Sequence, residues 1–122
     1  MDFKTTSSIL FKEEPLVINR GLAKLIGLNE AIVLQQVHYW LDINRKTKNN
    51  FHDGRTWTYN TYETWQEENF DIWSLRTVKR IFKSLFDKEL LIKGNYNKSS
   101  FDRTLWVTIN YEKLDEIFLT GE

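Results

Sequence analysis

Apolar residues recur along the chain with two periods, and turn-forming residues separate the periodic stretches. Residues 1–14 read as a flexible N-terminal arm, Pro15 disfavours helix at Glu14, and Leu16-Val17-Ile18 is a short extended run. Leu22, Leu25 and Ile26 share one side of a short helix that Asn19 is placed to cap and Gly27 to end. Ile32, Val33, Val37, Trp40 and Leu41 recur at helical spacing and predict a helix from about Glu30 to Asn44, with Asn29 as its cap. Residues 45–50 read as a basic loop ending near the turn signal Asp53-Gly54, and the Thr- and aromatic-rich run Arg55 to Tyr59 as a strand. A helix over about Thr61 to Asn69 follows, with Asn60 and Glu63 as a capping box and Tyr62, Trp65 and Phe70 turned inward. Residues 70–73 form the turn, and Ser74 caps a second helix reaching about Lys88. Leu91-Ile92-Lys93 starts a strand and residues 95–100 reverse the chain. Arg103 to Asn110 alternates, with Leu105, Val107 and Ile109 on one face and Thr104, Trp106 and Thr108 on the other. Asn110 caps a last helix carrying Leu114, Ile117 and Phe118.

A helix-turn-helix followed at once by a hairpin is a winged arrangement, and the earlier strand would join the hairpin's sheet. The expected fold is therefore mainly α with a small antiparallel sheet, an α+β winged helix-turn-helix occupying residues 15–122.

Within this frame the helix from Ser74 to Leu85 is the informative element. At 100° per residue Leu75, Val78, Ile81, Phe82 and Leu85 fall on one face, and Arg76, Lys79, Arg80 and Lys83 on the other. Such a helix fits the DNA major groove, which is about 12 Å wide. Arg76 is placed to take guanine bidentately and Thr77 to touch a thymine methyl or a phosphate. Ser74 serves as cap and phosphate donor, and Lys79, Arg80 and Lys83 make mixed base and backbone contacts. The following reversal adds Lys93, Asn95, Asn97, Lys98, Ser99, Ser100 and Arg103, suited to flanking phosphates or the minor groove, and residues 45–48 offer further cations.

Charge changes the picture in one respect. The 122 residues carry 17 basic and 17 acidic side chains, which argues against a polyanionic ligand. Their distribution is uneven: residues 73–103 hold eight basic and three acidic groups, and residues 61–72 hold four acidic and no basic groups. Contacts respond to local charge, since screening acts over about 8 Å in physiological salt. Glu63, Glu67 and Glu68 face solvent or a basic partner.

The remaining composition narrows the function classes. Cysteine is absent, so thiolate chemistry, disulfides and cysteine metal sites are excluded. His38 reads as packed into its helix, His52 lies in a loop, and the pair lacks metal-ligand spacing. Trp57, Trp65, Trp73 and Trp106 read as packing residues, with Trp73, in the turn, the best placed to meet a ligand. No apolar run approaches a membrane span and no secretion signal is present, so a soluble cytoplasmic protein is expected. Neither a phosphate-binding glycine loop nor a nucleophile elbow occurs, and a non-enzymatic protein without cofactor or metal is expected.

The stretches WTYNTYETWQEENF (57–70), DIWSLRTVKRIFKSLFDKELLIKGNY (71–96) and FDRTLWVTINYEKL (101–114) resemble the N-terminal winged-helix domain of replication-initiation proteins. These belong to phages and mobile elements of low-GC Gram-positive bacteria, and some carry a DnaD-like second domain. The likeness reaches upstream to Leu16. It implies sequence-specific binding of double-stranded DNA at an origin, with Arg76, Thr77, Lys79 and Arg80 reading bases. It also implies a replication or helicase-loading partner. The chain departs from the longer relatives by ending soon after its last helix. It is therefore expected either to be part of a longer protein or to bind DNA without the helicase-loading step. A transcriptional regulator of the same fold and a protein-interaction module are the competing expectations. A homodimer would form through the N-terminal arm or the last helix.

Overall fold

The computed structural model describes residues 15–121, so the arm expected over residues 1–14 lies outside the described residues. In chain order the elements are α1 (Arg20–Ile26), α2 (Leu28–Thr47), β1 (Phe51–His52), β2 (Arg55–Thr56), β3 (Thr58–Asn60), α3 (Tyr62–Glu68), α4 (Leu75–Asp87), β4 (Leu91–Gly94), β5 (Leu105–Ile109) and α5 (Tyr111–Thr120). The described residues thus form a mixed α+β fold of five helices and two small antiparallel sheets.

Short-range chemistry sets most helix ends. The Asn19 carboxamide accepts from the Leu22 N–H at 3.0 Å and opens α1. Gly27 then closes α1 and opens α2 in one step: its N–H donates to Ala23, and its carbonyl accepts from Ala31. It does so at φ 107°, a backbone that favours glycine. Helix α2 therefore starts at Leu28, before the expected Glu30, and Asn29 lies inside the first turn instead of capping it.

The far end of α2 also departs from expectation. Arg45, Lys46 and Thr47 belong to its last turn, not to a loop. Asp42 pairs with Arg45 at 3.4 Å and Lys46 at 3.0 Å along that turn, and Lys48 ends the helix in the left-handed region. Asn44 donates to the Trp57 carbonyl at 2.9 Å, a tie from across the fold that local sequence does not encode. Trp40, expected inward, lies on the outer side of α2 and donates its indole N–H to the Asn69 carboxamide at 3.0 Å.

The expected single strand Arg55 to Tyr59 is divided at Trp57. Arg55–Thr56 forms a hairpin with Phe51–His52, turning at Asp53 and Gly54 with φ of 52° and 78°. Positive φ at both central residues suits an Asp-Gly pair. Trp57 donates its backbone N–H to Asn50, buries its ring, and lets Thr58–Asn60 change partners. That segment joins a second sheet of order β3-β5-β4, with Thr58 opposite Val107 and Lys93 opposite Val107 from the other side.

All of β5 is buried. Leu105, Val107 and Ile109 enter the core shared by α2, α4 and the sheet. The alternate residues, Trp106 and Thr108, are covered too, and Thr108 donates its hydroxyl to the Thr56 carbonyl at 2.7 Å. Alternation along β5 thus separates core from the covering hairpin, not core from water. Helix α5 is opened by Asn110, which accepts from the Lys113 N–H. It packs Leu114 and Ile117 on the core, with Phe118 and Leu119 exposed. Among the described residues no helix is long and apolar enough to cross a membrane.

Candidate nucleic-acid interface

Helix α4 begins where the Ser74 hydroxyl accepts from the Thr77 N–H at 3.2 Å, a cap that contributes about 1 kcal/mol. Three residues carry the turn into it: Phe70 is fully buried, Trp73 donates its N–H to the Phe70 carbonyl, and Gln66 donates to the Trp73 carbonyl at 2.9 Å. Trp73 packs against the core at 5.8 Å from Phe70, in the packing role expected of it. Val78, Ile81, Phe82 and Leu85 are buried, and Phe82 meets Tyr62, Trp65 and Phe70 ring to ring. Ser84 donates to Glu30 and joins α4 to α2.

With that face anchored, Arg76, Lys79 and Arg80 are exposed on the other side, and none has a carboxylate within ion-pair distance among the described residues. Lys79 lies over the Tyr62 ring at 5.9 Å, which limits its wandering. Lys83 differs: it pairs with Asp87 at 2.7 Å, one turn on. Both partners are exposed, and such pairs contribute about 0.3–0.5 kcal/mol, little enough for a phosphate to compete. Thr77 is half-buried and its hydroxyl meets that of Ser74, so both hydroxyls serve the cap first.

The loop between β4 and β5 is a set of nested turns. Asn95, Ser99 and Asp102 each accept, through their side chains, from the backbone N–H two residues on. This is the local bonding that short polar side chains favour. Hydrogen bonding from the Thr104 side chain, and then from its backbone N–H, holds the Asp102 carboxyl below its usual range. Asn97 binds the loop together: its amide donates to the carbonyls of Thr104 and Asp102, and its oxygen accepts from the Trp106 indole at 2.8 Å. The sequence puts Asn97 among the ligand donors, but both of its amide hydrogens are engaged inside the loop. Lys98, Ser99, Ser100 and Arg103 remain exposed, and Lys93 rests over the Phe86 ring at 5.8 Å.

Helix and loop share one cleft. Tyr62, Glu63, Lys79 and Arg103 line a space of about 400 Å³. A neighbouring space of about 460 Å³ runs past Tyr62, Lys93, Asn95 and Arg103. The cleft carries cations from both elements, with Glu63 and Asp102 as opposing charges. The loop residues 45–48 belong instead to the end of α2 and line neither space.

An aromatic cluster that the local sequence does not encode supports the loop. His52 stacks on Tyr96 at 4.3 Å, Tyr96 meets Trp57 and Trp106 edge-on, and Tyr59 lies against Trp106. Tyr96 donates to Asp53, and that bond raises its phenol above the usual range. The β1–β2 hairpin thereby braces the β4–β5 loop. Gly94 permits it, because a Cβ there would lie 2.7 Å from the Trp57 ring. His38 lies 2.8 Å from the Tyr111 hydroxyl, and burial raises that phenol also. Among the described residues no three metal-capable side chains come together. The chain matches no protein-family model, no curated protein and no solved structure.

Proposed function

We propose that residues 15–122 form a winged helix-turn-helix domain that binds double-stranded DNA by sequence, with α4 in the major groove and the β4–β5 loop as its wing. The observation that carries this reading is the anchored helix whose outward face holds Arg76, Lys79 and Arg80 exposed and without acidic partners among the described residues. The order α3, turn, α4, β4, β5, with β3 completing the sheet, supports the fold assignment. The shared cleft supports joint use of helix and wing, because Lys79 and Arg103 face one space.

Arg76, in the first turn of α4, reads a guanine, and Lys79 and Arg80 combine base and phosphate contacts. Lys83, Lys93, Lys98 and Arg103 hold flanking phosphates. The protein is a binder, not an enzyme, and needs no cofactor. The sequence resemblance supports a role in replication initiation of a phage or mobile element, in the cytoplasm, alongside a replication or helicase-loading partner. Phe118 and Leu119 on α5 offer a surface for a homodimer, which would bind half-sites about 10 base pairs apart.

The test is duplex binding across a salt series, followed by selection from random duplex DNA. Five phosphate-neutralising cations give a log–log slope of about −4 to −5. A flat response removes the reading. Footprints at a promoter instead of an origin would make the protein a transcriptional regulator of the same fold. Tight protein binding that survives Lys79→Glu with Arg80→Glu would make it an interaction module.

A further inference from the structure

Phe101 stands at the tip of the β4–β5 loop with 91% of its surface exposed, the most exposed large apolar side chain among the described residues. It is held there, not left loose. Residues 99–102 form a tight turn in which the Asp102 N–H donates to the Ser99 carbonyl at 3.2 Å, and the Phe101 N–H donates to the Ser99 hydroxyl at 3.2 Å. Asn97 closes the loop beneath, and the Tyr96–Asp53 bond joins it to the β1–β2 hairpin. A preorganised turn that aims an apolar ring at solvent points to a ligand with an apolar interior.

The surroundings of the ring say which. Lys98 and Arg103 flank it along the chain and are exposed, so the ligand's outer layer is anionic. Arg103, two residues beyond the ring, also shares a cleft with Lys79 of α4, so the loop that carries Phe101 borders the outward face of the helix. Asp102, beside the ring, carries its charge but directs one oxygen to the Thr104 N–H. A phosphate exterior over stacked bases meets all three conditions, and a helix in the major groove brings the adjacent hairpin to the neighbouring minor groove.

We propose that Phe101 is an apolar wedge that enters a base step of duplex DNA from the minor groove, partly unstacking it and bending the duplex. Side chains of this kind kink DNA by about 20–90°, and pyrimidine–purine steps yield most readily. The wedge gives the domain a second output besides recognition: it opens the duplex locally beside the site that α4 occupies. This rests on the duplex-binding reading above.

The experiment uses the full 122-residue chain and the duplex recovered by selection, with 2-aminopurine placed in turn at each pyrimidine–purine step flanking the protected site. The wild-type protein raises the fluorescence at one step and bends the duplex. Phe101→Ala weakens binding about tenfold, the scale of one lost aromatic–base stack. It also abolishes both signals, and it leaves the salt slope and Tm unchanged, because no charge or core contact is altered. Phe101→Leu restores part of the bend. The proposal is overturned if Phe101→Ala matches the wild type in affinity, fluorescence and bend. It is equally overturned if the substitution affects only binding to phosphatidylserine vesicles, or only self-association in sedimentation. Failure of the wild type to bind any duplex sinks the parent reading. Steep salt-dependent binding unaffected by Phe101→Ala sinks the wedge alone.

Discussion

Helix α3 opens at Thr61, whose hydroxyl accepts from the Thr64 N–H at 3.1 Å, and α4 opens at Ser74, whose hydroxyl accepts from the Thr77 N–H at 3.2 Å. Each buries an aromatic ring in the same cluster, Trp65 from α3 and Phe82 from α4, with ring centres 5.7 Å apart. Their outer faces differ completely: Glu63, Glu67 and Glu68 on one, Arg76, Lys79 and Arg80 on the other. Capping and burial make a helix without regard to the charge on its far side. The exposed residues therefore set the charge of each face almost alone, and they divide the helix pair into a cationic face and an anionic one. Exposed charges cost little to fold and act over about 8 Å, so the two faces coexist in a neutral protein.

The largest expected effect tests the shared cluster. Phe82→Ala leaves a void among Tyr62, Trp65 and Phe70 and lowers unfolding stability by about 3–5 kcal/mol in denaturant titrations. Amide exchange of α3 and α4 accelerates together; protection retained by α3 alone would mean that the helices are not one unit. Next comes polarity. Lys79→Glu with Arg80→Glu lowers duplex affinity on the order of 100-fold at unchanged Tm, whereas Glu67→Lys with Glu68→Lys changes it by less than about threefold. Equal effects from the two helices would break the contrast. Smaller still are the caps: Ser74→Ala and Thr61→Ala each remove about 1 kcal/mol of stability. Only the former is expected to weaken duplex binding as well, through fraying of the first turn that holds Arg76. The smallest change sharpens the boundary. Glu63 lines the cleft with Lys79 and Arg103, so Glu63→Gln raises duplex affinity about two- to fivefold in fluorescence anisotropy.

The degree to which the site was legible follows the range of the forces involved. The opposed faces of α4 could be read from period alone, since a helix of any protein places residues three and four apart on one side. Asn97 could not be read as a brace, because its partners include the Trp106 indole, which the β4–β5 pairing delivers from the other strand. The pairing of Lys83 with Asp87 follows from their spacing of four residues along one helix face. Phe101 gave no periodic signal; its meaning comes from the turn that holds it outward.

From the sequence came the caps at Asn19, Ser74 and Asn110, the close of α1 at Gly27, the Asp53-Gly54 reversal and the split charge of the two short helices. All of these depend on groups within a few residues of one another. Tertiary structure decided where Arg55 to Tyr59 breaks, how far α2 runs, why Trp40 faces outward and which loop side chains remain available to a ligand. Each of those outcomes turns on a partner far along the chain: Asn44 with Trp57, Trp40 with Asn69, Trp106 with Asn97. Local chemistry proposes such elements, and the packing that brings distant groups together selects among them.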